Sequence, residues 1–442
     1  MSLLEVVAKK RSTSPRVALL FAAGLLTSMS LGACDCGGAP DGVVDQCQSE
    51  LALPPSVATD ILFVIDNSGS MREEQQKVVD ELHTFVETLV SSPIRNDFQI
   101  GVVTTGVSQN FAGCGENQPP QCIQYPEESG LLQRGKTLGG QVIDPSDVTV
   151  LSSSTPDVLA LAQRLVGQGI GGAGQEMGLE AARRAITEPL SSSGNAGFLR
   201  PGARLLVVIL SDEDDCSDAR GCEDPASRLF IQGACGNTCQ DDSECGGAAG
   251  SYCLYERPTD PSRGRRCTVN ACESAEGRAR LEPVETYVQL LQNLDDGTGT
   301  GRRREVFLAV IGAVDASASP ARCRSEVTEA YGVAVRYKAA VDQMGQNGLI
   351  ESICNESYAA SLAKIAALVN APQTVDLARA PPDPRLLFFE IVRGTAEPLR
   401  CRQGEGFEYE PPVGGAPARV TFKDSCRLQP GDQLSLKVVC AG

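Results

Sequence analysis

Four stretches of the chain are almost uninterrupted in their apolar character: Ile61 to Ile65 (ILFVI), Phe98 to Thr104 (FQIGVVT), Leu205 to Leu210 (LLVVIL) and Val306 to Val314 (VFLAVIGAV). Runs of this length with no polar alternation predict strands covered on both faces, as in a parallel sheet. Between them the period changes to that of a helix. From Met71 to Val90, the residues Val78, Leu82, Phe85, Val86, Leu89 and Val90 fall on one broad face, with Glu73, Glu74, Lys77, Glu81 and Glu87 elsewhere. Further helices are predicted from Thr155-Pro156 to about Val166, from Glu176 to Ile186 after the glycine-rich turn Gly169 to Gly174, from Val284 to Leu294, and from Ala359 to Val369. Strands alternating with helices predict an α/β fold with a doubly wound, mostly parallel sheet.

Two segments break the alternation. Residues 216–275 hold eight cysteines among many Gly, Asp and Arg residues, which predicts a disulfide-rich insertion between residues 58–215 and 276–375, the two parts of the α/β domain. Their spacing is too irregular for a zinc ribbon, and it leaves the pairing open. Cys114 and Cys122 bracket another loop and are expected to staple it. After the proline-rich joint Ala380 to Pro384, the runs Leu386 to Val392, Arg419 to Lys423 and Gln433 to Val439 predict a small all-β domain over residues 385–442, carrying Cys401, Cys426 and Cys440.

The composition narrows what such a fold can do. The 442 residues are 42% apolar and only 5% aromatic, without tryptophan, so the core must be aliphatic. A formal net charge of −17 argues against binding to a phosphate backbone, so nucleic acid is not an expected partner. A single histidine, His83, removes three-histidine zinc sites, HExxH proteases and most hydrolase triads.

Eighteen cysteines point to an oxidising compartment. The N-terminus agrees. Lys9, Lys10, Arg11 and Arg16 precede the short apolar run Val17 to Leu26, the pattern of an export signal over residues 1–33. That signal ends in Leu31-Gly32-Ala33-Cys34, which resembles the bacterial lipobox. The resemblance implies lipidation of Cys34, a flexible tether over residues 34–57, and a protein exported to the bacterial cell envelope and lipid-anchored to a membrane, the outer membrane or cell surface being favoured. The membrane is thus one expected partner.

The candidate chemistry lies where two apolar strands end in acid. In an open α/β sheet, ligands bind beyond the carboxyl ends of the strands. Asp66-Asn67-Ser68-Gly69-Ser70 follows the first strand directly, and a turn of this spacing aims residues one, three and five at one point. One carboxylate and two hydroxyls are hard oxygen ligands suited to Mg²⁺ or Mn²⁺, with Ca²⁺ as a further candidate. Asp212, at the end of Leu205 to Leu210, would supply a second charge directly or through water. The competing role for Asp66 and Ser68 is to cap the following helix.

Here the chain resembles the von Willebrand factor type A domain, whose metal-ion-dependent adhesion site combines a DxSxS turn, a threonine from a second loop and an aspartate from a third. Asp60 to Met71 (DILFVIDNSGSM) and Leu205 to Asp215 (LLVVILSDEDD) carry the resemblance, which covers roughly residues 58–370 apart from the insertion. It implies Asp66, Ser68, Ser70 and Asp212 as metal ligands or their water-bridged partners. It further implies a function, the capture of a protein or extracellular-matrix ligand whose own carboxylate completes the metal shell. The second loop departs from the family pattern. Gly169 to Glu176 contains no hydroxyl, which leaves three alternatives open: Glu176 approaches the ion, water fills the gap, or the site binds metal poorly.

Two other functions compete. A metal-dependent hydrolase would use Asp66 and Asp212 to Asp215 to activate water, but the chain has no nucleophile elbow or P-loop and no histidine beyond His83. A structural envelope protein with a vestigial metal turn would need only the disulfides and the β domain. No catalytic residue is expected on the adhesion reading.

Overall fold

The computed structural model describes residues 46–50, 56–92, 94–112, 121–137, 139–143, 148–218, 230–232, 236–247, 250–255, 261–270, 272–323, 330–377, 380–381, 383–429 and 431–439. The export signal, Cys34, Cys114 and Cys440 lie outside the described residues. The α/β part is built on six strands, β1 (Ser56–Ile65), β2 (Arg95–Thr104), β3 (Val150–Ser152), β4 (Arg204–Leu210), β5 (Val306–Gly312) and β6 (Gly348–Ser352). Six helices accompany them: α1 (Arg72–Val90), α2 (Val158–Val166), α3 (Gly178–Ile186), α4 (Val284–Gln292), α5 (Val335–Gln343) and α6 (Ala359–Ala367). The sheet order is β6-β5-β4-β1-β2-β3, parallel throughout except for the short antiparallel edge strand β3.

The mixed α/β class with a mostly parallel sheet is therefore as the sequence predicts. Every residue of β4 and β5 is buried, which is why both read as continuous aliphatic runs. Helix α1 buries Val78, Leu82, Phe85, Val86 and Leu89 and packs beside α6, with Phe85 edge-on to Phe63 of β1 at 5.5 Å. From β1 the chain moves to β2 and β3 on one side, then returns to β4 on the other. The gap between the carboxyl ends of β1 and β4 is thus a topological switch point.

Residues 216–272 are stapled by Cys216–Cys272, Cys239–Cys253 and Cys245–Cys267, and contain the two-stranded ribbon Ser251–Tyr255 with Arg265–Val269. Sulfurs of Cys239, Cys245 and Cys267 lie together, but each is committed to a disulfide and not to a metal. Cys122 is also disulfide-bonded, and Cys323–Cys354 ties the loop after β5 to the end of β6. No helix among the described residues is long and apolar enough to cross a membrane.

The C-terminal module is two sheets around one core. Gln46–Glu50, Gln433–Val439, Leu387–Val392 and Leu399–Arg402 form one, and Thr374–Leu377, Ala418–Phe422 and Phe407–Glu410 the other. Phe389 from the first sheet meets Phe407 and Phe422 from the second, each at 5.0 Å, and Cys401–Cys426 closes the core.

Two boundaries differ from the sequence reading. Thr374–Leu377 pairs antiparallel with Ala418–Phe422, so the module begins before the prolines that read as its joint at 385. Those prolines sit between two of its strands, where their missing N–H groups cost no ladder bond. Gln46–Glu50, assigned to a flexible tether over 34–57, is a strand on Gln433–Val439, satisfying a backbone edge that would otherwise be unpaired. The α/β part is consequently spliced between the first and second strands of the β module.

Candidate functional site

Asp66 leaves β1 at the switch point, its N–H bonded to the carbonyl of Leu210 in β4 at 2.9 Å. The turn that follows is closed by the Ser68 N–H donating to Asp66 Oδ1 at 2.8 Å. This places the hydroxyls of Ser68 and Ser70 3.1 Å apart, and Ser70 Oγ donates to Asp212 Oδ1 at 3.2 Å. Ser211, next to Asp212, donates to Asp66 Oδ2 at 2.7 Å. Four residues named from the sequence, Asp66, Ser68, Ser70 and Asp212, thus meet in one hydrogen-bonded group spanning the ends of β1 and β4.

The surroundings fix this group. Gln75 of α1 donates its amide to the carbonyls of Asp66 at 2.7 Å and Gly169 at 2.8 Å, joining the turn to the glycine-rich loop. Gly172 N–H donates to Asn67 O at 2.8 Å, and a Cβ on Gly172 would fall 2.0 Å from Asn67 Oδ1. A side chain at this position would have to displace the buried Asn67 amide. Glu128 accepts from Asn67 Nδ2 at 3.1 Å and from Thr104 Oγ1 at 2.8 Å. The carbonyl of Asp212 is held by the N–H groups of Tyr331 and Gly332 at 2.9 and 3.0 Å.

Asp66 and Asp212 are fully buried, and Glu176 is 1% exposed. Glu176 precedes α3 and turns to Glu213, the two carboxyl groups sharing a hydrogen bond; its own carbonyl accepts from Cys216 N at 2.7 Å. It therefore faces the third loop's second acid. Glu74, read from the sequence as part of the polar side of α1, is also buried and within electrostatic reach of Asp66 and Asp212. Its position in the first helical turn after the DxSxS spacing was the available signal.

Burial dominates the electrostatics. It pushes the Asp66 carboxyl up to about 6 against the lowering hydrogen bonds from Ser68 and Ser211. It pushes Glu74 and Glu213 up to about 8, with neighbouring acids adding to the rise. Asp212 is held well above the carboxylate range by burial, then by Asp66, Glu74 and Glu213; Glu176 is held there by burial, then by Glu213, Asp66 and Asp212. None of these five acids forms an ion pair with Lys or Arg among the described residues. Glu74 Oε2, Glu176 Oε1 and Asp212 Oδ2 are buried without a hydrogen-bond partner. Buried anionic oxygens in this state call for a proton or a cation. The hydroxyl and carboxylate separations of 3.1 and 3.2 Å also match the cis edge, roughly 3 Å, of an octahedral shell with bonds of about 2.1 Å. The donor set fits a hard divalent ion.

The other acids of the third loop have a different job. Asp214 accepts the N–H of Arg336 at 2.8 Å, and Asp215 is ion-paired to the Arg336 side chain at 3.0 Å and accepts Leu179 N–H at 3.0 Å. They anchor α3 and α5. His83 is exposed on α1, its ring beside the Asp80 carbonyl at 3.1 Å. Arg302 pairs with Asp376 at 3.0 Å, and Arg304 donates to the carbonyls of Arg200 and Ala203, so these basic residues serve packing.

A second DxSxS spacing, Asp315-Ala316-Ser317-Ala318-Ser319, follows β5. It forms a similar turn, with Ser317 N–H donating to Asp315 Oδ1 at 2.8 Å. Asp315, however, is exposed, its carboxyl is drawn below the ordinary range by Ser317 and Ser319, and Ser317 Oγ is spent on it at 2.6 Å. Burial at a switch point distinguishes the first turn from the second.

No protein-family profile matches this chain, and no curated protein does. Among solved structures, proximal thread matrix protein 1 from the mussel byssus shares 11% identity over 75% of this chain, with a TM-score of 0.33. The pilus adhesin SpaC from Lactobacillus rhamnosus GG shares 9% over 88%, with a TM-score of 0.31, and the pilus adhesin RrgA from Streptococcus pneumoniae 10% over 89%, with a TM-score of 0.28. This chain spans 51%, 39% and 57% of those chains respectively. Likeness of this degree assigns no function.

Proposed function

We propose that the protein is a divalent-cation-dependent binding protein, with a von Willebrand factor type A domain carried on a lipid-anchored β module in the bacterial envelope. The observation that carries this reading is the Ser70–Asp212 hydrogen bond, which brings two hydroxyls and two buried carboxylates together at the switch point. Asp66, Ser68 and Ser70 would hold Mg²⁺ or Mn²⁺ from the turn, and Asp212 from the facing strand end. The chemistry supplied there by the ion is that of a hard acceptor for a carboxylate offered by a protein or matrix partner.

The chain's own groups do the rest. Ser211 and the Ser68 N–H orient Asp66, Gln75 locks the turn to the glycine-rich loop, and the Tyr331 and Gly332 N–H groups orient Asp212. Glu176, bound to Glu213, stands in the second loop where the family has a hydroxyl, and contributes charge. No residue in this arrangement is assigned a catalytic role.

The test is thermal unfolding in EDTA, MgCl₂ and MnCl₂ for the parent protein and Asp66→Ala. The parent is expected to gain stability with either ion and the variant to gain none. A parent melting curve indifferent to both ions would overturn the proposal.

A further inference from the structure

Glu176, before α3, and Glu213, in the loop after β4, meet carboxyl to carboxyl. Two acids touch in this way only around a proton or a cation. Neither is ion-paired to Lys or Arg among the described residues. Both are fixed by groups outside the contact. The Glu176 carbonyl accepts the Cys216 N–H at 2.7 Å, and the N–H of the next residue, Met177, donates to the Thr105 carbonyl at 3.1 Å. Glu213 Oε2 accepts from Asn270 Nδ2 of the disulfide-rich insertion at 3.1 Å, and the Asn270 amide is in turn oriented by the Cys272 N–H, which donates to its Oδ1 at 3.1 Å. Behind the pair there is no slack, since a Cβ on Gly332 would lie 3.0 Å from Glu213 Cα.

The oxygens around the pair exceed what one proton satisfies. Glu176 is 1% exposed, and its Oε1 is buried without a partner. The segment 105–109 packs on 174–177, its Gln109 Oε1 accepting the Gly174 N–H at 2.6 Å. That segment carries two fully buried hydroxyls, on Thr105 and Ser108, which have no partner either. A shared proton occupies the contact between the two carboxyl groups and leaves these oxygens bare. A cation draws oxygens from several sides at once. The donors are all oxygen, and a glutamate can bind through both of its oxygens, a mode that suits the flexible shell of Ca²⁺ better than the strict octahedron of Mg²⁺.

We infer that Glu176 and Glu213 form a second cation site, taking Ca²⁺, apart from the turn at Asp66. The turn has its own ligand set in Asp66, Ser68, Ser70 and Asp212, and a divalent ion there would leave this pair uncompensated. The inference does not need the turn to bind metal. Through Asn270, Ca²⁺ at this pair would fasten the insertion to the α/β sheet.

The test counts Ca²⁺ bound per chain by equilibrium dialysis at pH 7.5, with the folding of every variant followed by circular dichroism. Asp66→Ala, which disables the turn, is expected to keep one Ca²⁺. Asp66→Ala combined with Glu213→Gln or with Glu176→Gln is expected to keep none. Asn270→Asp adds a charged oxygen beside Glu213, and in the Asp66→Ala background it is expected to tighten Ca²⁺ by about threefold or more. An Asp66→Ala protein that binds no Ca²⁺, or Ca²⁺ that survives both glutamine substitutions, would overturn the assignment. Should either glutamine variant unfold, an unchanged Ca²⁺ affinity in Asn270→Asp would overturn it instead. Ca²⁺ retained by Asp66→Ala, alongside a parent whose melting ignores Mg²⁺ and Mn²⁺, would sink the reading of the turn and support this one.

Discussion

Ser70 donates its hydroxyl to Asp212 Oδ1 at 3.2 Å across 142 residues of chain. The same carboxylate has its other oxygen buried and unpartnered. One side chain is therefore half satisfied by a turn and half left to something outside the described protein, a condition that folding alone does not favour.

Replacing that carboxylate should have opposite effects with and without metal. In EDTA at pH 7.5, Asp212→Asn is expected to stabilise the protein by on the order of 1 kcal/mol, because it removes a carboxyl that burial and the neighbouring Asp66, Glu74 and Glu213 make costly to ionise and that must otherwise take up a proton on folding. In MgCl₂ the parent should regain the advantage. Urea unfolding in the two buffers measures both signs; a variant less stable than the parent in EDTA contradicts the account.

The pH dependence follows from the same crowding. Asp66 is raised to about 6 and Glu74, Glu213 and Asp214 to about 8. An acid whose folded value exceeds its unfolded value holds its proton more tightly when folded. Its contribution is complete below the unfolded value near 4 and is lost as pH rises through the folded value. Metal-free stability should therefore fall between about pH 4 and pH 8, whereas affinity for Mg²⁺ should rise over the upper part of that window as protons are displaced. Calorimetric titration in two buffers of different ionisation enthalpy would expose the released protons.

Gly172→Ala is expected to destabilise the protein by about 1–3 kcal/mol and to weaken Mg²⁺ binding with it, since the new methyl overlaps Asn67 and pushes on the turn. Gly171→Ala, where nothing lies within 4 Å, is the paired control and should behave as the parent. Equal melting temperatures for both variants would show that the approach of loop to turn is looser than this.

The Cys216–Cys272 bridge closes a separation of 56 residues, and the Cys216 N–H holds the Glu176 carbonyl. A Cys216→Ser, Cys272→Ser variant should lose roughly 2–5 kcal/mol, part of it as slackening of the acidic loop. A weaker Mg²⁺ shift than in a Cys239→Ser, Cys253→Ser variant would locate the effect at the loop, while identical shifts would argue that the insertion is mechanically separate from the site.

The sheet was legible because burial on both faces leaves long aliphatic runs, as in Leu205 to Leu210. Helix α5 and strand β6 were not, since Arg336 and Glu351 interrupt the apolar pattern for reasons that only tertiary structure reveals: the Asp214–Asp215 anchor and the Lys364 ion pair. The turn at Asp66 was recognisable, yet its spacing recurs at Asp315, where the carboxylate is exposed. Spacing alone does not make such a site; the order of strands does. Glu74 escaped notice because a glutamate in the first turn of a helix reads as a solvated residue that favours the dipole, while the fold buries it.

Strand β1 runs from Ser56 to Ile65, directly before Asp66, paired along all 10 of its residues with β2 and along Thr59 to Ile65 with β4. A pull applied at the module's end of this strand and resisted at Asp66 acts along the strand axis. Parallel neighbours on both sides then share the load in shear, so many backbone bonds would have to give way together instead of unzipping one at a time. Tension would be borne by the middle of the sheet.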